Sequence, residues 1–114
     1  MAKYECRMQA NFEGVLAAIE NDILRGSMSA SYEDGSDYCV GNVRCAVRVF
    51  ERYSMVGGNR VSLSVTLIGQ GSDLYLSAIT AGGSQATFFK VNTLGEEAFL
   101  DRLIDAVQRF YPTE

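Results

Sequence analysis

The sequence predicts an α+β fold in which a curved antiparallel sheet carries both helices on one face. Three observations predict it. Apolar and polar residues alternate over 3–9 and 59–69, as in half-buried strands. Apolar residues recur at helical spacing over 12–25 and from 93 to 110. Glycine-containing turns divide the stretch between the two helices into further strands. The element order is β-α-β(4–5)-α in a single domain spanning residues 1–114, with no repeat, low-complexity segment or linker to divide it.

In KYECRMQ, residues 3–9, Tyr4, Cys6 and Met8 share one strand face, and Lys3, Glu5, Arg7 and Gln9 share the other. Asn11 is placed to cap a helix whose apolar side is Phe12, Val15, Leu16, Ile19 and Ile23, with Gly26 as its left-handed stop. Residues 27–33 alternate again, with Met28, Ala30 and Tyr32 on one side, and Asp34-Gly35 reads as a hairpin turn. A long strand follows over 38–53. Its row Val43, Cys45, Val47 and Val49 is expected to face the core, which leaves Arg44, Ala46, Arg48, Phe50 and Arg52 on the opposite face.

Gly57-Gly58-Asn59 turns the chain into a strand with Val61, Leu63, Val65 and Leu67 inward and Ser62, Ser64 and Thr66 outward. A turn at 69–73 leads to the strand LYLSAIT, the Gly82-Gly83 turn follows, and a short strand is expected around ATFFKV, residues 86–91. Thr93-Leu94-Gly95-Glu96 fits a capping box, so the last helix is expected to begin at Thr93 and to bury Phe99, Leu100, Leu103, Ile104, Val107 and Phe110.

Composition narrows the function. Apolar residues at 47% and charged residues at 21% place the chain among ordered globular proteins, able to form a core without disulfides. Nothing resembles a signal-peptide core or a stretch of ~20 apolar residues, so a cytoplasmic protein without membrane contact is expected. Three cysteines cannot all pair within one chain, and neither C-x-x-C nor a metal-ligand spacing occurs, so reduced thiols are expected. The absence of histidine removes the usual general base and the commonest metal ligand. No catalytic residue, cofactor or metal is expected. A net charge of −4 opposes nucleic acid and anionic membranes.

Gly82-Gly83 precedes a strand rather than a helix, which favours a tight turn over a phosphate cradle. Ser84, Gln85 and Lys90 remain as a small polar site beside that turn. Arg44, Arg48, Phe50 and Arg52 form the most unusual pattern: three guanidinium groups and an aromatic ring on one strand face suit an anionic ligand or a partner surface. The arginine row is expected to keep an exposed sheet face soluble or, with a flat floor of serines and threonines around it, to pair with a second copy, in preference to holding a ligand. Two functions follow: a non-enzymatic binding or interaction module that self-associates, or a small-molecule site between the sheet and the C-terminal helix, catalytic in the strongest form of that reading.

The strings VRCAVRVFERYS, GGNRVSLSVTL and AGGSQATFFKVNTLGEEAFL resemble a family of small uncharacterised bacterial proteins over nearly the whole chain. That resemblance implies no activity. The element order resembles the TBP-like class, which includes the larger helix-grip proteins, and element order carries no function.

Overall fold

The structure of the protein, a computed structural model, describes residues 1–26, 29–53, 60–82 and 89–114, with side chains described for all of these except 89–94. Among them stand β1 (Ala2–Gln9), α1 (Phe12–Gly26), β2 (Ser31–Val40), β3 (Val43–Tyr53), β4 (Arg60–Gln70), β5 (Asp73–Gly82) and α2 (Phe89–Val107), followed by a 3-10 turn at Gln108–Phe110. The five strands form one antiparallel sheet in the order β1-β5-β4-β3-β2. β1 is separated from β2 by α1 and lies at the opposite edge.

One face of the sheet carries both helices. Its floor is Cys6 and Met8 of β1, Leu74, Leu76 and Ala78 of β5, Val61, Leu63, Val65 and Leu67 of β4, and Ala46 and Phe50 of β3. Phe12, Val15, Leu16, Ile19 and Ile23 of α1 and Phe99, Leu100, Leu103 and Val107 of α2 close over that floor in the same core. The expected buried faces of α1, β1 and β4 are the observed ones, because each presents one unambiguous apolar row. Ile104 and Phe110 lie at the margin, half-buried against the core. Asn11 caps α1 by accepting a hydrogen bond from the Gly14 N–H at 2.7 Å.

Gly26 is the last helical residue of α1 and lacks the positive φ expected of a left-handed stop. Three larger expectations are corrected. Asp34-Gly35 is not a turn: β2 runs through it with a bulge between Tyr32 and Asp34, and the hairpin closes at Gly41-Asn42, where Val40 pairs with Val43. Gly41 takes φ 60°, as Gly71 takes φ 61° in the next two-residue hairpin. Glycine first in a two-residue loop matches the twist of the strands it joins. Gly35 is needed for space, since a Cβ there would stand 2.8 Å from the Val47 carbonyl oxygen.

The second correction concerns the last helix, which begins at Phe89 and not at Thr93. Residues 89–91 of the expected short strand are helical, and 86–88 lie outside the described residues. Thr93 is therefore inside α2, and Glu96 cannot serve as the reciprocal partner of a capping box. Its buried carboxylate instead accepts a hydrogen bond from the Gly82 N–H at 2.7 Å and meets the α-amino group of Met1, tying α2 to the end of β5.

The third correction concerns β3. In its register with β4, Ala46 pairs with Leu67, Arg48 with Val65, Phe50 with Leu63 and Arg52 with Val61. Directly paired residues share a sheet face. The arginine row therefore lies on the helix-covered face, and Val43, Cys45, Val47 and Val49 lie on the face that neither helix covers.

Leu103 is fully buried between α2 and the sheet. Leu103→Ala is expected to lower stability by ~2–5 kcal/mol through the cavity it leaves, read from urea melts; a neutral effect would displace this residue from the core.

Candidate functional site

Each arginine of β3 meets the helix layer differently. Arg44 pairs with Glu13 of α1 at 2.5 Å, and its guanidinium carbon lies 4.3 Å from the centroid of the Phe12 ring. Arg48 is well enclosed, with its side chain 11% exposed. It donates to Glu20 of α1 at 2.8 Å, to Asp37 of β2 at 2.9 Å and to the Val47 carbonyl at 2.9 Å. These two carboxylates hold the guanidinium charged and push its pKa up against the opposing effect of burial. Arg52 lies 4.7 Å over the Phe99 ring of α2. Burial, reinforced by the nearby Arg102 guanidinium, pulls its pKa down.

Phe50 is wholly buried and offers no surface. The expected outward row is thus a set of struts between β3 and the helices, with stems on the core and heads at ion pairs or rings. A sequence signal for this existed. Glu13 and Glu20 stand seven residues apart on one helix, a rise of ~10.5 Å. Arg44 and Arg48 stand ~13 Å apart along the strand, close enough to match them. Of the other expected site, Ser84 and Gln85 lie outside the described residues, and Lys90 falls in the first turn of α2.

The uncovered face presents a different chemistry. Val43, Cys45, Val47 and Val49 run along β3, flanked on β2 by Tyr38 and Val40, which are 56% and 68% exposed. Ile68 of β4 and Ile79 of β5 add exposed apolar surface beyond the small side chains of Ser62, Ser64 and Thr66. Charged groups stand at the margins: Lys3, Glu5 and Arg7 on β1, and Arg60 with Glu51 at 2.5 Å near the end of β3. At the hairpin end the face continues into an open groove of about 830 Å³ lined by residues including Arg7, Val43, Ile68, Tyr75 and Tyr111.

The two edges of the sheet differ. β1 is bordered by the C-terminal segment, where Tyr111 takes φ 55° and Thr113 exchanges backbone hydrogen bonds with Arg7 at 2.7 and 2.8 Å. The β2 edge carries Glu33, Asp34 and Asp37 and a bulge, devices that discourage strand addition.

All three thiols are free: Cys6 is buried, Cys39 exposed and Cys45 half-buried. Burial pushes the Cys6 thiol up, and it pushes the neighbouring Tyr4 phenol up to about 12. Cys45, on the row expected to face the core, stands on the uncovered face. Among the described residues no three Cys, Asp or Glu side chains converge as a metal site, and no helix is long and apolar enough to cross a membrane.

These features define an α+β domain with helices on one side of its sheet and an exposed apolar band on the other. The chain belongs to DUF6054, a family of unknown function, whose sequence profile matches residues 1–111. No curated protein and no solved structure matches it.

Arg48→Ala is expected to destabilise the protein by ~1–3 kcal/mol, because it strips two half-exposed carboxylates of their shared partner. Arg44→Ala, whose ion pair is more exposed, is expected to cost less in the same denaturant melts. The reverse order would mean that the enclosed ion pair does not hold the two layers together.

Proposed function

We propose that the protein is a non-enzymatic interaction module that self-associates by stacking the uncovered face of its sheet on that of a second copy. The observation that carries this reading is the apolar band Val43, Cys45, Val47 and Val49 with Tyr38, Val40 and Ile68 beside it, on a sheet whose other face is already filled. Soluble monomers seldom leave a contiguous apolar area of this kind in water.

Size and charge favour a second copy as the occupant. Five strands at ~4.8 Å spacing and ~30 Å length present roughly 700 Å². A standard interface takes ~800 Å² from each partner. In a two-fold pairing each side chain near the axis faces its own kind, so a central charge would repel itself. Here the centre is uncharged and the charges stand at the rim. Stacked sheets of this type pack ~10 Å apart with β-branched side chains interdigitating. The lack of histidine and the burial of Cys6 support the non-enzymatic reading.

Sedimentation is expected to show a dimer that dissociates on dilution, and Val47→Glu is expected to give a monomer with an unchanged circular dichroism spectrum. Alkylation of Cys45 is expected to slow as protein concentration rises, while that of Cys39, on the opposite face, stays constant. A wild-type monomer from micromolar to millimolar concentration would overturn the proposal.

A further inference from the structure

The arginines at the two ends of the β3 row differ in how their charge is met. Arg44 and Arg48 have carboxylate partners, as do Arg60 and Arg109 elsewhere. Arg52 and Arg102 have none among the described residues. The Nε–H of each is shut off from solvent and has no hydrogen-bond acceptor among the described residues. A buried donor without an acceptor forfeits its solvation, and the loss is larger for a charged group. Two such donors on neighbouring cations compound the loss.

The side chains are held in place from several directions. Arg52 is pinned against the Phe99 ring, one turn before Arg102 on α2. Arg102 lies against Gly26 at the C-terminal end of α1, its guanidinium filling the space a Cβ would take there. It also lines an open groove of about 200 Å³ between the helices, together with Asp22, Arg25 and Asp105. Asp22 is engaged by Arg109 at 2.7 Å. The buried carboxylate of Glu96, one turn before Phe99, is engaged by Gly82 and Met1 rather than by Arg52. Two cations near each other, each with an Nε–H shut off from solvent, have a general remedy: an oxyanion accepting from both.

We propose that Arg52 and Arg102 form an anion-binding site between β3 and α2, beside the C-terminal end of α1, which takes the phosphate or carboxylate group of a small molecule. The site lies on the helix-covered side of the sheet and is independent of stacking on the other side. The Phe99 ring supplies an apolar wall, and the two Nε–H groups supply the donors that the anion completes.

The test uses the wild-type protein with inorganic phosphate, with acetate, and with sodium chloride at matched ionic strength, since chloride alone screens repulsion between the two cations. Phosphate or acetate is expected to raise the melting temperature by a few degrees in a saturable way that chloride does not reproduce. The arm that acts identifies the ligand group. In the ¹⁵N spectrum the Arg52 and Arg102 Nε–H signals are expected to shift along the same titration curve. Arg102→Gln is expected to abolish both responses, and Arg102→Lys, which retains charge but loses the Nε–H, to weaken them at least tenfold. Chloride matching both oxyanions, or two Nε–H signals that stay fixed through the titrations, would overturn the proposal without touching the dimer reading.

Discussion

The pairing of β3 with β4 determines what each face of this protein offers. Phe50 lies opposite Leu63 and Ala46 opposite Leu67, and because side chains alternate, those two pairs assign every other residue of β3 to a side. Arg44, Arg48 and Arg52 are carried under the helices, where they must find carboxylates or rings. Val43, Cys45, Val47 and Val49 are carried to the uncovered face, where they stay half-buried. A slip of one residue would exchange the two rows, remove Phe50 from the core and leave Glu13 and Glu20 without partners.

The helix layer is adapted to that pairing. α1 is long enough to set Glu13 over one arginine and Glu20 over another, while its apolar side, from Phe12 to Ile23, fills the core between them. α2 meets the same strand through Phe99 and adds a cation, Arg102, where a carboxylate would have been the simple choice. One strand face therefore passes from conventional ion pairs to a pair of like charges. Structural needs alone explain the ion pairs and do not explain the like charges.

The two faces also differ in the kind of contact they support. Beneath the helices, the Nε–H donors of Arg52 and Arg102 are shut off from solvent, which suits a small charged group. On the open side an apolar band on β2 and β3 adjoins small serine and threonine side chains on β4, with charges at the edges, which suits a protein surface of matching shape. The thiols report on this division: Cys45 stands in the open band, Cys39 on the β2 edge beside Arg44, and Cys6 in the core.

The sequence by itself determined the α+β class, both helices, the buried faces of β1, α1 and β4, and the presence of an arginine row on β3, because each of these rests on local spacing. Three features depended on tertiary structure. Asp34-Gly35 has the composition of a turn, yet the chain turns at Gly41-Asn42, because Gly35 is needed for close approach to the Val47 carbonyl. Thr93 has the pattern of a cap, yet α2 begins at Phe89, and Glu96 bonds the end of β5 instead. β3 carries two plausible inward rows, one of valines with a cysteine and one of Ala46 and Phe50 among arginines. Hydropathy favours the valines. Only the register with β4 and the carboxylates of α1 turn the arginines inward, since long side chains can bury their stems and still place their charges on partners that a linear reading does not bring together.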